Sequence, residues 1–176
     1  MNNRYFAGIG SRETPAEICA EMTQISKFLC DNGFTLRSGG ARGADQAFES
    51  GATSKEIFLP WKQYEHNDSH FTEPSEQAIK LSRLLFPHFR GVTRETRLLL
   101  SRNVHQITGP ELDVSPRSEF VVCWTRNGKS VGGTGYTIKI ARHFDIPIFN
   151  LFNPNERIKM FRYFDDYIAS VGTFGC

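Results

Sequence analysis

The stretch Ser38-Gly39-Gly40-Ala41-Arg42-Gly43-Ala44-Asp45 lies between a short apolar segment at residues 34–36 and a helical segment that ends at Gly51. Two other glycine-rich stretches have similar surroundings, Gly8-Ile9-Gly10-Ser11-Arg12 and Val131-Gly132-Gly133-Thr134-Gly135. Glycines in a strand-to-helix turn let the backbone approach a ligand closely, and the helix beyond offers unpaired N–H groups to an anion. These turns therefore predict a pocket for a phosphate-bearing ligand.

The segments between these turns alternate between strand and helix patterns. Short apolar runs predict strands at residues 5–9, 34–36, 57–59, 120–124 and 148–151. Helical periodicity is found at residues 18–29, 73–85, 94–105, 132–144 and about 154–170. Residues 63–72 are polar and predict a surface loop; the pattern leaves open whether residues 62–75 close over the pocket. This alternation predicts one α/β domain over residues 1–176, with a doubly wound, mostly parallel, Rossmann-like sheet flanked by helices.

The composition favours an ordinary globular protein of 176 residues, with 39% hydrophobic and 23% charged residues. No apolar run approaches the ~20 residues of a membrane span, and the N-terminus does not resemble a secretory signal. The four cysteines, Cys19, Cys30, Cys123 and Cys176, are scattered, which favours buried thiols and a cytoplasmic location. A net charge of +2 gives little general attraction to nucleic acid. The histidines have no metal-ligand spacing, so we expect no metal and no cofactor.

The turn at residues 38–45 resembles the SGxARGxD turn of the SMF/DprA–LOG (SLOG) superfamily. This group includes DNA-processing protein A, a recombination mediator, and the LONELY GUY phosphoribohydrolases. The Arg102-Asn103 step and the second glycine turn, residues 132–141, are also similar to DNA-processing protein A. Residues 8–12 and Phe58-Leu59-Pro60-Trp61 look more like small stand-alone SLOG proteins of bacteria and phages. The resemblance extends from about residue 5 to residue 151.

The resemblance implies a site built from several separate segments. Asp45 would hold the first turn by accepting backbone N–H groups, and Arg102 and Asn103 would lie over the same pocket. The full set of predicted ligand-binding residues is Gly10, Ser11, Arg12, Ser38, Gly39, Gly40, Arg42, Gly43, Asp45, Arg102, Asn103, Gly132, Gly133, Thr134 and Thr137. The expected ligand is a nucleotide, a nucleotide derivative or single-stranded DNA.

One departure from the family pattern bears on catalysis. The phosphoribohydrolases share a PGGxGTxxE segment whose glutamate polarises the ribosyl bond, and the matching position here is Lys139. Without that carboxylate the mechanism lacks its acid/base group, so binding is favoured over catalysis and no catalytic residue is assigned. Two alternatives stay open: a nucleoside monophosphate phosphoribohydrolase, and a protein that senses or sequesters a nucleotide-derived signal.

A cluster of arginines is a second candidate for nucleic-acid contact. Arg90, Arg94 and Arg97 have i, i+4, i+7 spacing, so a continuous helix would place them on one face. The rings of Phe86, His88 and Phe89 come just before and could stack on bases. A solvated cationic face is the alternative, and Trp124 could likewise be core or stack on a purine. We also expect a homodimer or higher homo-oligomer, with the helix at residues 94–105 as a candidate interface.

Overall fold

The computed structural model describes residues 4–172, which form one six-stranded sheet flanked by six helices. The strands are β1 (Arg4–Gly10), β2 (Phe34–Ser38), β3 (Lys55–Leu59), β4 (Phe71–Thr72), β5 (Val121–Trp124) and β6 (Ile148–Asn150). The helices are α1 (Ala16–Asp31), α2 (Ala44–Gly51), α3 (Glu76–Leu85), α4 (Arg94–Thr108), α5 (Gly132–His143) and α6 (Pro154–Gly172). All strand pairs are parallel, so the predicted α/β Rossmann-like class is confirmed.

The strand order, β4-β3-β2-β1-β5-β6, explains where a ligand can enter. The chain winds outward from β1 to β4 and then returns to place β5 on the other side of β1. In a doubly wound sheet the carboxyl ends of the strands open into a crevice at this reversal, because the flanking connections leave in opposite directions. The crevice of this protein therefore lies between the ends of β1 and β5.

Alternating side chains divide the core into two layers. On β1, Phe6 packs into a cluster with residues of α1, α2 and α6, while Ala7 and Ile9 pack with residues of α3, α4 and α5. On β5, Val122 joins the first cluster and Val121 the second. Both faces of the sheet are buried, which agrees with the uninterrupted apolar runs at residues 5–9 of β1 and throughout β5.

The region predicted as a loop, residues 63–72, is more ordered than its polarity suggested. Residues Tyr64–His66 form a 3₁₀ turn, and β4 pairs in parallel with β3 and forms one edge of the sheet. The Ser69 hydroxyl donates to the carbonyl of Ile57 at 2.5 Å, and the Asn67 amide donates to the Glu49 carboxylate. Side-chain hydrogen bonds, rather than apolar periodicity, thus hold this segment on the sheet, and it is not a plain surface loop.

The burial of individual residues corrects two further predictions. Every residue from Leu100 to Thr108 is buried within the chain, so most of this helix cannot serve as the dimer interface suggested by the sequence. The cysteine prediction holds only for Cys123, which is fully buried; Cys19 and Cys30 are half-buried, and Cys176 lies outside the described residues. Across residues 4–172, no helix combines the length and apolarity needed to span a membrane.

Candidate functional site

A cavity of about 700 Å³ occupies the crevice between β1 and β5. Its walls come from the turn after β1, the loop and first turn of α5 after β5, the inner face of α4, and single residues of the 38–45 turn and the 3₁₀ turn. Apolar side chains such as Ile9, Leu99, Leu100 and Tyr136 face polar ones from the turns. A cavity of this volume, with a few convergent polar groups, is typical of sites for small ligands.

The N-terminus of α5 forms one wall of the cavity. The first N–H groups of a helix have no partner within the helix, and no side chain caps α5, whose N-cap residue is Val131. A Cβ atom added at Gly132 or Gly133 would meet nothing within 4 Å, so the space beside the first two residues of α5 is open. Unpaired N–H groups and the positive end of the helix dipole thus face a space that an anion can fill.

Arg102 on α4 forms a deeper part of the wall and is only 5% exposed. Its Nη1 donates to the carbonyls of Gly39 and Phe58 and lies 3.8 Å from the Asp45 carboxylate. Its Nε is buried and has no hydrogen-bond partner among the described residues. Burial lowers the pKa of this guanidinium, partly offset by Asp45. A buried donor without an acceptor costs free energy, so an anionic acceptor that reached this nitrogen would stabilise the site.

Asp45 at the start of α2 is the buried partner of Arg102. Its carboxylate accepts the N–H group of Ala41 at 3.3 Å and also interacts with the N–H groups of Gly10 and Gly39. Burial raises the pKa of this carboxyl to about 6, against the opposing effects of Arg102 and the three backbone donors. Asp45 therefore joins the turns after β1 and β2 and holds Arg102 in place.

The raised pKa of Asp45 gives a pH-dependent prediction. Because the folded-state pKa of about 6 is above the ordinary value of 3.8 for an aspartate, the folded chain binds this proton more tightly than the unfolded chain does. The stabilising effect of protonation is therefore complete below pH 3.8, the pKa of Asp45 in the unfolded chain, and is lost as the pH rises through 6. We expect the free energy of unfolding of the wild type, relative to Asp45→Asn, to rise by about 1 kcal/mol between pH 7 and pH 5. Urea unfolding at several pH values measures this difference, and parallel pH profiles would contradict it.

Tyr64 connects two of the arginines that line the cavity. Its hydroxyl accepts from Arg12 Nη2 at 2.7 Å, and the Arg102 guanidinium carbon lies 5.7 Å from its ring centroid. Across the mouth, Glu13 pairs with Arg126 at 2.8 Å, and both side chains are well exposed. Deeper in, the Asn103 amide donates to the Gly133 carbonyl at 3.2 Å. The tyrosine and these pairs align side chains from four separate segments around one space.

Most predicted ligand-binding residues meet at this cavity, but the 38–43 turn largely does not. The residues that line it are Gly10, Ser11, Arg12, Asp45, Arg102, Asn103, Gly132, Gly133, Thr134 and Thr137; those that do not are Ser38, Gly39, Gly40, Arg42 and Gly43. The Ser38 hydroxyl donates to the Gly8 carbonyl at 2.7 Å, and Arg42 extends outward to Glu65 at 3.4 Å. This turn contributes Ala41 to the wall, and its Gly39 carbonyl accepts a hydrogen bond from Arg102.

The arginine cluster and the aromatic side chains differ from their predictions. Arg90 lies in a separate 3₁₀ turn, Phe89–Gly91, and α4 begins afresh at Arg94 behind its N-cap Thr93, so no continuous helix aligns the three arginines. Phe86 and Phe89 are 2% exposed and belong to the core, so they cannot stack on bases. Trp124 is also buried and packs against Phe152 instead of lining the cavity.

The cavity includes residues that sequence reasoning did not assign to it. Among them are Glu13, Thr96, Leu99, Leu100, Gln106, Thr125, Arg126, Lys129 and Tyr136. None lies in a glycine-rich motif, although Gln106 is one helical turn beyond Arg102-Asn103, and that spacing could have found it. Lys139 points away and donates to the Leu85 carbonyl at 2.6 Å. Within residues 4–172, no three side chains of the metal-binding types come together.

The comparison with solved structures is the one that bears on the fold. No model of a known protein family matches the chain, and no curated protein matches it in sequence. A solved structure of DNA processing protein A from Helicobacter pylori, described for its single-stranded DNA binding mode, is similar with a TM-score of 0.56 at 16% sequence identity. The match covers 84% of this chain and 64% of that one, so this chain spans less than two thirds of that protein's structure. This likeness shows a shared Rossmann-type fold.

Proposed function

We propose that this protein binds a phosphate group of a nucleotide, or of single-stranded DNA, in the cavity between β1 and β5. One observation carries the proposal: the uncapped N-terminus of α5 lines the same cavity as the buried guanidinium of Arg102, whose Nε has no hydrogen-bond partner among the described residues. Both features are donors without acceptors, and a phosphate supplies several acceptor oxygens at once.

The charges around the cavity support an anionic ligand. Four cationic side chains line it, Arg12, Arg102, Arg126 and Lys129, against two acidic ones, Glu13 and Asp45. Asp45 is occupied with backbone donors, and Glu13 is paired with Arg126 at the rim. Guanidinium groups bind phosphate through two parallel hydrogen bonds, which favours arginine in such a site. The excess positive charge lies where the ligand would enter.

Single-stranded DNA is part of the proposal because of the shared fold. The structure of the Helicobacter protein is described for its binding of single-stranded DNA, and both chains have the same Rossmann-type arrangement. We infer a similar single-strand binding role here, akin to that of a recombination mediator. The cavity volume of about 700 Å³ also suits one nucleotide unit, free or within a strand. Ribosyl-bond hydrolysis is not part of the proposal, because Lys139 occupies the family's glutamate position and turns away.

The proposal predicts binding that depends on salt and on Gly133. Labelled oligothymidine and a 5′-mononucleotide, titrated separately, should bind with an affinity that falls as salt increases, because phosphate contacts release counterions. Gly133→Ala should weaken binding by about tenfold, because its new methyl group enters the open space and removes one charge-assisted hydrogen bond. Fluorescence anisotropy and calorimetry measure the two affinities.

Gly91→Ala is the matched control for this experiment. Gly91 also has open space around its Cβ position and no positive φ, but it lies away from the cavity. Both variants should melt within a few degrees of the wild type. Equal binding by wild type and Gly133→Ala, or no binding of either ligand, would contradict the proposal.

A further inference from the structure

An exposed apolar stripe on α6 lies on the outer side of the protein, away from the cavity. Ile158, Phe161 and Ile168 are 51%, 50% and 38% exposed, although most large apolar residues of the chain are buried. With Asp165 they have the spacing 158, 161, 165, 168, which places them along one side of the helix. Large apolar side chains in a row on a helix are typical of a surface that packs against another helix.

The stripe continues onto α1. Phe28 is 41% exposed, and its ring lies 6.1 Å from the ring of the buried Phe164. The Phe161 ring lies 6.4 Å from the same Phe164 ring. Two exposed rings therefore lie beside one buried ring, and we call the surface made by these two rings with Ile158 and Ile168 the α6 stripe. None of its residues contributes to the cavity.

The charges beside the stripe are separated along α6. Lys159 and Arg162 lie in its first half, and Asp165 and Asp166 follow in its second half. All four are exposed, and none of them forms an ion pair or a hydrogen bond with another described residue. A helix with basic residues before acidic ones is complementary to itself when a second copy runs in the opposite direction.

We propose that the α6 stripe is a homodimer interface in which two copies of α6 pack antiparallel. A two-fold axis requires that the same patch be complementary to itself. An axis near residue 163 sets Ile158 opposite Ile168 of the second copy, five positions on either side of the axis. With this axis, Lys159 lies opposite residue 167 of the second copy, next to its Asp166. Arg162 lies opposite residue 164 of the second copy, next to its Asp165. Parallel packing would instead place like charges together, which is unfavourable.

Two charge variants test this arrangement. One carries Lys159→Glu and Arg162→Glu, so the four exposed charges beside its stripe are all acidic, and the other carries Asp165→Lys and Asp166→Lys, so those four charges are all basic. We expect the wild type to sediment as a dimer at about 100 µM and each variant to dimerise at least about tenfold more weakly, because like charges then face each other. An equimolar mixture of the two variants should recover a dimer that contains one copy of each. Sedimentation velocity with one variant labelled measures this recovery.

Phe161→Glu tests the apolar part of the stripe, with Leu84→Glu on α3 as its matched control. Leu84 is 76% exposed and lies outside the α6 stripe. Phe161→Glu should give a monomer that melts cooperatively and still binds the ligands of the cavity, whereas Leu84→Glu should remain dimeric. A wild-type monomer at about 100 µM, a mixture of charge variants that stays monomeric, or equal effects of Phe161→Glu and Leu84→Glu would each overturn the inference.

Discussion

Replacing Arg102 with methionine is expected to lower the free energy of unfolding by about 3–5 kcal/mol. Methionine keeps much of the side-chain volume but leaves the fully buried Asp45 carboxylate without its cationic partner. The carbonyls of Gly39 and Phe58 also lose their donor. Removing Arg102 raises the pKa of Asp45 further above 6, so at pH 7 the folded chain must either keep a buried carboxylate without its cation or take up a proton, and both cost free energy. Urea unfolding at pH 7 measures the loss, and the same variant should lose ligand binding.

Two variants serve as controls for this prediction. Arg126→Met breaks the exposed pair with Glu13 at the rim, and a pair of this kind contributes little to stability. Adding Asp45→Asn to Arg102→Met removes the uncompensated charge, so the double variant should be more stable than Arg102→Met alone. If Arg102→Met were no less stable than Arg126→Met, the buried pair would not hold the site together.

Gly43→Ala is expected to lower the free energy of unfolding by about 3 kcal/mol or more. Gly43 has φ 82° and ψ −121°, a backbone conformation that residues with a Cβ atom rarely adopt. Its Cβ atom would also lie 2.7 Å from the carbonyl oxygens of Ser11 and Arg12. The turns after β1 and β2 approach each other at this point, so the chain must either separate them or change the conformation of the turn.

Gly33→Ala is the control for the cost of a positive φ at a glycine whose Cβ position is free of contacts. Gly33 has φ +86°, but a Cβ atom there would meet nothing within 4 Å. This control therefore reports the cost of a positive φ without a steric contact, about 1 kcal/mol. The difference between the two variants in urea unfolding measures the close approach of the turns together with the cost of the ψ angle of −121° at Gly43. Equal losses would show that the two turns can move apart freely.

The fold was predictable because its signals are local. Every strand predicted from a short apolar run is present, and the glycine turns lie at strand ends as expected. The strand β4 was missed because it has two residues and is held by Ser69 and Asn67, whose hydrogen bonds leave no periodic pattern. Local sequence patterns predict a strand only when burial of its apolar side chains holds it in the sheet.

The site was less predictable, because its residues come together through packing. The motif at residues 38–45 suggested a phosphate cradle, whereas its Ser38 hydroxyl and its Gly39 backbone are used inside the protein, the latter by Arg102. Tyr64 joins Arg12 and Arg102 from a segment with no motif of its own. Spacing along the chain indicates which residue types are present, but the partner of each donor depends on contacts between distant segments.

The most direct test of the proposed site is the response of backbone amide signals to ligand. Nuclear magnetic resonance spectra of the ¹⁵N-labelled protein, titrated separately with a 5′-mononucleotide and with oligothymidine, would locate the bound phosphate. We predict that the largest shifts occur at the amides of Gly133 and Thr134 and at the Arg102 side-chain Nε–H. Shifts confined to the exposed arginines Arg90 and Arg94, with the first turn of α5 unchanged, would contradict binding in the cavity.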